Sequence, residues 1–571
     1  MTGEEKLFPL QVKPGIKRDG TVFDSEFFTD GQWVRFQRGR AKKMGGFRRI
    51  TDQMRGPVRK NLVWSRGDLN AVFGFSSSKI EQLLIDSNGL GSSIIDRTPA
   101  GFTPNANIMW SVDTQYDDAV GSTGTIILAH ASSSLTNIDD QTTSKPYMAL
   151  ASNNNVFTTI TDAPAVSGGV FAIPPYTVVH GSDGYVAWSD ANQPQVWPGS
   201  AGNIGDAGAD RVAATKIVKG LPLRSGRGPA ALLWTLDSVL RMDWVGGQAI
   251  FQFSTLSSQS SILAQNSIIE YDGVYFWIGT DRFMYFDSAV KELPNDMNQN
   301  YFFDNLNYEA RQKVHAVKVP RFGEIWWFYP SGTNTECDKA VIFNVREKVW
   351  YDVTLDRSAG FYSQVLHFPI WANNQNTTVI ALPAITNFNV GNSVTGAASQ
   401  ATGVITATDS TYNTITVSNV VGTFIKLETV TSTGGGSQNN TFVDTYASAS
   451  LFQHEFLKDR IEGDFQIAID SYITTNDFGF ANAGLNNWTR LKRVEPDFKQ
   501  TGTMSVTVIG QEFANSPPDE TTTYSFTDDT EYIDMREQHR HIRLKFESNE
   551  NMGDYEMGRV LLHVEPGDAR S

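Results

Sequence analysis

The chain has 571 residues, a formal net charge of -15 and a pI near 5.1. An acidic chain is unsuited to general coating of nucleic acid, because affinity for phosphate comes from Lys and Arg residues that release counterions. The single cysteine, Cys337, excludes an intramolecular disulfide and any multi-cysteine zinc or iron–sulfur site.

The composition favours an all-β fold. The chain contains 48 glycines, many Thr, Ser and Asn residues, and short apolar runs, a mixture typical of strands joined by turns. The length predicts about three to five structural units. The N-terminal sequence MTGEEKLFPLQ has no basic region followed by an apolar one, and no apolar run approaches the ~18 residues of a membrane span. We therefore expect a soluble chain with no cleaved export signal and no membrane span.

The first notable element is a basic segment, WVRFQRGRAKKMGGFRRI, at residues 33–50. Between Trp33 and Arg66 there are eleven Lys or Arg residues and one acid, Asp52, so the rest of the chain is more acidic than the total charge suggests. Three interpretations are open: a solvated face, a direct contact with nucleic acid, and an interface with an acidic protein surface.

An interface is the favoured interpretation of the basic segment. Gly39, Gly45 and Gly46 divide it as in an extended arm with turns, and aromatic residues and Arg are favoured in interface cores. In an acidic protein, the acidic partner is expected to be another copy of the chain. We therefore predict an N-terminal arm over residues 1–60, with the interface residues Trp33, Arg35, Phe36, Arg38, Arg40, Lys42, Lys43, Phe47, Arg48 and Arg49.

Residues 61–383 repeat a pattern in which an apolar strand, often ending in Trp, is followed by a polar turn and a second apolar strand. The pattern is most widely spaced in its first two copies and weakest in its last, and it occurs at 61–75, 125–138, 184–197, 231–244, 273–286, 323–343 and 369–382. The leading tryptophans of the last five copies lie 43 to 49 residues apart, and they are Trp188, Trp234, Trp277, Trp326 and Trp371. A four-stranded propeller blade needs roughly 40–50 residues.

This spacing predicts a β-propeller-like domain over residues 61–383. The chain has thirteen tryptophans, and so many produce some similar intervals by chance, but here the flanking strand pattern recurs together with the spacing. One large aromatic residue per blade would fill the wedge between neighbouring sheets, so we predict that these tryptophans are core residues and not ligands. A short helical connector between blades is expected within 295–317, where Asn307 can cap a turn that reaches Val314.

Two further units are expected after the propeller. Residues 384–450 are rich in Thr, Ser, Gly, Asn and Val, with alternating segments such as GVITAT, and they predict a small inserted β module. In residues 451–571, alternating apolar residues share one strand face, in Met504, Val506 and Val508 and again in Ile542, Leu544 and Phe546. Such alternation predicts a C-terminal antiparallel β-sandwich.

No pattern of catalytic residues is apparent. His539 and His541 would project from one strand face, and His563 lies on another terminal strand, but solvated histidines are commoner than a metal site and the neighbouring arginines would repel a cation. The sequence SDGYVAW at 182–188 has Ser, Asp and Gly adjacent, which is a turn and not the Asp-box of sialidases. Nucleophile-elbow, zinc-protease and phosphate-loop motifs do not occur where structure would support them. We assign no catalytic residue, cofactor or metal.

Two N-terminal motif elements nevertheless resemble the opening of a protein family, the tail nozzle or hub proteins of short-tailed bacteriophages, also called packaged-DNA stabilisation proteins. The first element contains Pro14, Gly15, Asp19, Gly20 and Thr21, and the second contains Trp33, Val34, Arg35, Phe36, Gly39, Gly45 and Gly46. Further matching segments occur in the same order at 186–198, 232–246, 324–332, 343–353 and 540–570. The resemblance covers most of the chain outside 384–450.

This resemblance implies a non-enzymatic structural protein of the virion tail, assembled in the host cytoplasm. It implies a homo-oligomeric ring of six copies at the distal end of the tail, below the portal and its adaptor protein, with tail fibres or spikes attached outside. Such a ring retains packaged DNA and forms the channel through which double-stranded DNA leaves. Under this interpretation the basic segment contacts a neighbouring protein more readily than DNA.

Two other functions are open on the sequence. The first is a carbohydrate-binding or carbohydrate-cleaving propeller that recognises the host cell surface, because flat aromatic rings stack on sugars and glycosidases also use this fold. The second is a cytosolic scaffold propeller unrelated to viruses. A glycan-binding or depolymerisation assay separates the first from a nozzle, and neighbouring portal, capsid or tail genes would exclude the second.

Overall fold

The computed structural model describes most of the chain, in the ranges 5–105, 107–117, 124–132, 138–223, 228–373, 378–410, 413–421, 424–425, 427–438, 445–462, 465–483 and 487–567. Almost every element in these ranges is a β-strand, which confirms the all-β class. The described helical elements are one α-helix, α1 (Gln299–Asn305), and the short 3₁₀ turns Val22–Asp24, Ser182–Gly184, Tyr308–Lys313 and Phe480–Ala483. Within the same ranges, no helix has the length and hydrophobicity needed to cross a membrane.

Seven strands precede the first blade. They are short because glycines and turns interrupt the sequence every few residues. Their bounds are β1 (Lys6–Pro9), β2 (Lys13–Ile16), β3 (Phe27–Phe28), β4 (Asp30–Gln32), β5 (Val34–Gln37), β6 (Arg40–Lys43) and β7 (Phe47–Arg55).

The next twelve strands form three four-stranded antiparallel sheets, in which each strand pairs with the one that follows it in sequence. Blade 1 contains β8 (Val58–Arg66), β9 (Leu69–Ser76), β10 (Ile80–Ile85) and β11 (Gly91–Asp96). Blade 2 contains β12 (Met109–Asp117), β13 (Gly124–Ser132), β14 (Tyr147–Leu150) and β15 (Thr158–Thr159). Blade 3 contains β16 (Gly169–Ile173), β17 (Tyr176–His180), β18 (Tyr185–Trp188) and β19 (Gly208–Arg211).

Three more sheets follow the same plan. Blade 4 contains β20 (Ile217–Pro222), β21 (Ala230–Thr235), β22 (Val239–Gly246) and β23 (Ile250–Ser257). Blade 5 contains β24 (Ile269–Tyr271), β25 (Val274–Ile278), β26 (Phe283–Phe286) and β27 (Val290–Glu292). Blade 6 contains β28 (His315–Val319), β29 (Glu324–Tyr329), β30 (Lys339–Asn344) and β31 (Val349–Thr354).

The connector predicted before blade 6 is confirmed. Helix α1 is followed by the 3₁₀ turn Tyr308–Lys313, and Asn307 caps that turn by accepting a hydrogen bond from the backbone N–H of Glu309. The turn ends at Val314, as expected from the sequence.

A seventh blade and the inserted module share the next nine strands. These are β32 (Ala359–Tyr362), β33 (Pro369–Asn373), β34 (Thr378–Ala381), β35 (Ser393–Gly396), β36 (Thr402–Asp409), β37 (Thr414–Val421), β38 (Val430–Ser432), β39 (Ser437–Gln438) and β40 (Thr445–His454). Strands β34–β39 form the module, which has its own small core around Phe388, Ile415 and Val417. The module joins the blade where β34 pairs with β40.

Blade 7 closes the propeller with strands from both ends of the sequence. Its order is β32, β33, β40 and β7, so the fourth strand comes from the region before blade 1. Strand β32 contacts both β28 of blade 6 and β8 of blade 1. Strand β8 in turn contacts β12, and β12 contacts β16. The sheets are therefore arranged as a closed ring of seven blades.

The leading tryptophans lie between neighbouring blades, as predicted. Trp234 of blade 4 and Trp277 of blade 5 have ring centroids 5.7 Å apart, and Trp326 of blade 6 and Trp371 of blade 7 are 5.0 Å apart. Trp188 packs on Phe251 across blades 3 and 4 at 5.2 Å. All five tryptophans are buried.

The repeated segments are not all equivalent in the structure. Those at 61–75, 231–244, 273–286 and 323–343 form two paired strands of one blade. In the segment 184–197 only the first half is a strand, and Trp197 is buried in a turn instead. The weaker segment 369–382 divides between blade 7 and the inserted module.

The C-terminal strands form a sandwich with the first strands of the chain. Their bounds are β41 (Arg460–Glu462), β42 (Phe465–Ile467), β43 (Ser471–Thr474), β44 (Thr489–Glu495), β45 (Phe498–Thr501), β46 (Met504–Gln511), β47 (Asp519–Phe526), β48 (Ile533–His539), β49 (His541–Ser548), β50 (Asp554–Met557) and β51 (Leu561–Pro566). One sheet has the order β4, β43, β49, β46, β47, and the other has the order β1, β51, β44, β48. A further sheet pairs β45, β50, β6 and β5. Strands β41 and β42 are outside the sandwich, because β41 pairs with β7 and extends the sheet of blade 7.

The predicted alternation in this unit is confirmed. The apolar faces of the first two of these sheets meet in one buried cluster, which includes Val506, Leu544, Leu491 and Val564. The same cluster continues into blade 6 through residues such as Tyr351. The propeller and the sandwich therefore share a continuous core.

The N-terminal segment is not a separate arm. Strand β1 pairs with β51, β4 with β43, and β6 with β50, so these strands and β5 belong to the C-terminal sheets, whereas β2 and β3 pair with each other. The residues that follow, in β7, belong to blade 7. The glycines of this segment make turns between short paired strands, where the sequence suggested an extended arm.

We expect Trp234→Ala to destabilise the propeller by about 3–5 kcal/mol, because removal of a fully buried indole leaves a cavity between blades 4 and 5. Trp244 lies in the same sheet but is 46% exposed, so Trp244→Ala should cost no more than about 1 kcal/mol. Urea denaturation at low protein concentration measures both changes. Equal losses in the two variants would contradict the wedge role of Trp234.

Candidate functional site

The basic segment is centred on one arginine buried between the propeller and the sandwich. Arg35, on β5, makes a two-point ion pair with Glu324 of blade 6, with Nε–Oε1 and Nη2–Oε2 distances of 2.8 and 3.0 Å. Its Nη1 and Nη2 also donate to Glu455, just after β40, at 2.8 and 2.5 Å. The guanidinium lies 3.7 Å from the centre of the Phe322 ring. One cation therefore ties together three distant parts of the chain.

Every oxygen of Glu324 is occupied. Besides Arg35, its Oε1 accepts a hydrogen bond from the Tyr351 hydroxyl at 2.7 Å, and its Oε2 accepts one from the Trp326 indole N–H at 2.9 Å. The burial of these groups makes full pairing necessary, because an unpaired buried charge is costly. Glu324 is therefore held as a structural anion, with no free lone-pair direction for a substrate.

The electrostatics of this cluster favour the charged pair. Burial alone lowers the pKa of Arg35, but the attraction of Glu324 and then of Glu455 outweighs burial and raises the pKa. Burial also raises the pKa of Tyr351 well above its ordinary value, and the neighbouring Glu324 carboxylate raises it further. Tyr351 therefore stays a neutral hydroxyl that donates to Glu324.

A second arginine joins the same two units nearby. Arg18 donates from Nε and Nη2 to the two oxygens of Asp352 on β31, at 3.0 and 3.1 Å, and from Nη1 to Asp30 on β4 at 2.5 Å. The adjacent Asp19 accepts hydrogen bonds from the backbone N–H groups of Asn300 and Tyr301, at the start of α1. The segment that contains Arg18 and Asp19 is thus attached to both blade 6 and the sandwich.

Two glycines of the motif elements allow this close packing. Gly15 has φ +114°, in the region that favours glycine, and a Cβ there would lie 2.8 Å from the Met297 sulfur and 3.2 Å from the carbonyl oxygen of Trp350. A Cβ on Gly46 would overlap the backbone of Asp459. Both positions therefore require the absence of a side chain.

Five of the ten predicted interface residues are buried inside the chain. They are Trp33, Arg35, Phe36, Lys43 and Phe47. Trp33 donates its indole N–H to the carbonyl oxygen of Gly45, and Lys43 donates to that of Ser548 at 3.0 Å. For these five residues the expected contact with another copy is corrected: the acidic and apolar partners are in the same chain, because the segment folds into short strands against blade 6.

The other five predicted residues keep some exposure. Arg38 and Arg40 are exposed, and Lys42, Arg48 and Arg49 are half-buried. Arg40 pairs with Glu556 at 3.2 Å, and Lys42 approaches the same carboxylate at 3.9 Å. Arg48 donates to Gln453 Oε1 and lies over the Phe456 ring. An interface role for these five side chains stays a prediction.

No local pattern in the sequence indicates the acidic partners of Arg35. Glu324 and Glu455 lie 289 and 420 residues away in the chain. The sequence likewise does not indicate Asp352 as the partner of Arg18, although Asp352 lies in the segment 343–353 that carries part of the family resemblance. Only the placement of Arg35 within a motif pointed to its importance.

The histidines considered for a metal site lie apart. His541 contacts Asp477 with a ring nitrogen to carboxylate distance of 2.9 Å, whereas His563 lies between Glu5 and Glu495 at 2.7 and 2.6 Å. In the ranges that the structure describes, no group of three or more His, Cys, Asp or Glu residues is arranged to hold a metal ion.

Comparison with known proteins finds one remote structural similarity. No protein-family model matches the chain, and no curated protein matches it. Among solved structures, the chain is similar to the crystal structure of the WD40 β-propeller domain of Doa1, with a TM-score of 0.35 and 8% sequence identity. That match covers 58% of this chain and 94% of the other.

We expect Arg35→Met to destabilise the protein by about 3–5 kcal/mol, because Glu324 and Glu455 are left as uncompensated buried charges. Arg35→Lys should be intermediate, because an ammonium does not reproduce the two-point pairing of the guanidinium. Arg38→Met, three residues away and exposed, is the control and should change stability by about 0.5 kcal/mol or less. Thermal unfolding and limited proteolysis provide the measurements, and similar values for Arg35→Met and Arg38→Met would contradict the proposed role.

Proposed function

We propose that this chain is a structural, non-enzymatic nozzle protein of a short-tailed bacteriophage tail. In this proposal, copies of the chain form a ring at the distal end of the tail, which retains packaged DNA and provides the channel for its release. The observation that carries the proposal is that the residues of both N-terminal motif elements serve to join the propeller to the sandwich. Motif residues that hold two units rigidly together are more useful to a load-carrying tail component than to an enzyme.

The charge distribution supports this proposal. The basic segment is partly neutralised inside the chain, through Arg35 with Glu324 and Glu455 and through Arg40 with Glu556. The overall charge of -15 is then not offset by a free basic arm. A wall that DNA slides past must not bind phosphate, and an acidic surface meets that need.

Exposed apolar residues on both units support ring formation. Leu7 and Phe8 are 56% and 49% exposed on the sheet-edge strand β1, and Trp244 and Val245 are 46% and 49% exposed near the end of β22. A ring forms through two different complementary surfaces on each subunit. Apolar residues at two separate places on one chain are consistent with such an interface.

We expect the purified chain to form rings, with six subunits the predicted number, in negative-stain microscopy and native mass spectrometry. The double variant Trp244→Ser, Val245→Ser should weaken assembly, because it removes apolar area from one proposed contact surface. Val365→Ser is the control, because Val365 is 57% exposed in blade 7 and lies away from Trp244 and Val245. A chain that stays monomeric both alone and in the presence of the portal and its adaptor would contradict the nozzle proposal.

A second candidate function is recognition of a host glycan, and one groove favours it. Between blades 4 and 5 lies a groove of about 630 Å³, lined by the serines of residues 257–261 together with Asp237 and Asp281. The hydroxyl oxygen of Ser260 is buried there and has no hydrogen-bond partner among the described residues. Hydroxyl and carboxylate groups are the partners that a sugar requires.

A glycan array and a polysaccharide depolymerisation assay test this second candidate. Binding through the groove should weaken at least tenfold in Asp237→Asn and Ser260→Ala and persist in Ser92→Ala, a serine on the exposed strand β11. Cleavage of a polysaccharide would favour an enzyme over the nozzle. Absence of any glycan binding would remove the second candidate.

A further inference from the structure

The inner strands of the propeller bring two lysines towards the ring axis. Lys60 is on β8 of blade 1 and Lys219 is on β20 of blade 4, and both interact electrostatically with Asp113 on β12 of blade 2. Lys219 is only 6% exposed, whereas Lys60 is partly exposed, so water reaches the site from one side.

Neither lysine has a full set of partners. The only hydrogen bond of the Lys219 ammonium to another described residue is to the Ser111 hydroxyl oxygen, at a long 3.5 Å. Lys60 makes no hydrogen bond or ion pair with any residue in the described ranges of the chain. An ammonium group has three donors, and a buried one without acceptors is costly.

Asp113 does not supply the missing acceptors. One of its oxygens accepts a hydrogen bond from the backbone N–H of Thr114 at 2.8 Å, and the other accepts one from that of Ala172 at 2.9 Å. Asp113, Lys60 and Lys219 all lie in the described ranges, and no ion pair within 4.0 Å joins Asp113 to either lysine. Two cations therefore share one carboxylate, each of whose oxygens already accepts one backbone hydrogen bond and neither of which contacts an ammonium group.

The other charged groups nearby do not correct this imbalance. Arg59, beside Lys60, is paired with Glu336, and Lys216, near Lys219, donates to the carbonyl oxygen of Asp140. His315 is buried and its Nε2 has no partner among the described residues. Burial lowers the pKa of Lys219 to about 7, and repulsion by Lys60 contributes. That shift is the response expected of a cation that lacks a counter-ion.

One end of the axis is crossed by the loop between blades 4 and 5. Gln265 of this loop contacts the Ser132 hydroxyl of blade 2 at 3.2 Å, which brings together opposite sides of the ring. Gln265 and its neighbours Asn266 and Ser267 are buried. The hydrogen bond between Ser132 and Gln265 therefore spans the ring at this end of the axis, and a long polymer cannot pass there.

We propose that the central channel of the propeller binds a small oxyanion, of the inorganic phosphate or sulfate class, between Lys60 and Lys219. The anion accepts hydrogen bonds from both ammonium groups and supplies the counter-charge that Asp113 does not provide. Ser111 positions Lys219, because its hydroxyl donates to the carbonyl oxygen of Val170 and accepts from the lysine. The site is independent of ring assembly and of the proposed tail function.

Isothermal titration calorimetry of the full chain with inorganic phosphate, at constant ionic strength, tests this site. We expect saturable binding of one phosphate per chain and an increase of at least tenfold in Kd in Lys219→Met and in Lys60→Met. Methionine matches the unbranched shape of lysine and removes the charge together with the three N–H donors. The part-exposed Lys60 gives a usable variant even where Lys219→Met does not fold. Lys499→Met, an exposed lysine of the sandwich, is the control and should leave Kd unchanged.

Matched titrations with sulfate and chloride identify the ligand class. Sulfate should compete with phosphate, whereas chloride at the same ionic strength should not. The proposal is overturned by a Kd that is the same in the wild type and both channel variants, by absence of phosphate binding, or by equal competition from chloride. None of these outcomes depends on whether the chain forms rings.

Discussion

The buried ion cluster of Arg35 with Glu324 and Glu455 is the interaction on which the rest of the structure depends. It lies where β5 of the sandwich meets blades 6 and 7, and all four of its charged contacts are protected from solvent. A buried cluster of this kind is favourable only when every member is present and paired. The propeller and the sandwich must therefore reach their final arrangement together. If either unit folded alone, Arg35 or its two glutamates would lack their partners.

The same constraint explains why N-terminal strands pair with strands that lie much later in the chain. Strand β7 closes the propeller as the fourth strand of blade 7, and β1 pairs with β51 near the other end. With Cys337 as the only cysteine, no disulfide can perform this closure, so hydrogen-bonded strands and the shared core must do so. Contacts between residues hundreds of positions apart predict slow folding, because the loops must close before these contacts can form.

The sequence was sufficient where the deciding interaction is local. The alternation around Val506 and Leu544 predicts the sandwich and Asn307 predicts a cap, because each depends on residues within a few positions. The tryptophan spacing predicts the propeller because each blade repeats the same local strand pattern. It was insufficient for the basic segment. Charge counting recorded a concentration of cations, but the partners Glu324 and Glu455 lie hundreds of residues away. A pattern of charges alone does not distinguish a partner in the same chain from one in another.

Trp188 and Trp197 show a second limit of sequence patterns. Trp188 has the spacing of the other leading tryptophans, yet it lies on the third strand of its blade, whereas Trp234 lies on the second strand of the next. Both positions face the wedge between blades, so the aromatic residue can move between strands without loss of burial. Spacing therefore specifies the number of residues in a blade more firmly than the strand that carries the tryptophan.

The propeller has cations on its axis although the whole chain is acidic, and this distribution is relevant to the proposed function. Its axis carries Lys60 and Lys219, whereas the chain as a whole is strongly acidic. Because Gln265 contacts Ser132 across the ring, the propeller axis is closed to a DNA duplex, and in the proposed tail the passage must lie between subunits. DNA would then meet only the outer surfaces, where acidity prevents adhesion, while the inner lysines remain out of reach of the passing phosphates. A propeller whose unpaired cations lie on a closed axis can line a DNA passage without binding the DNA.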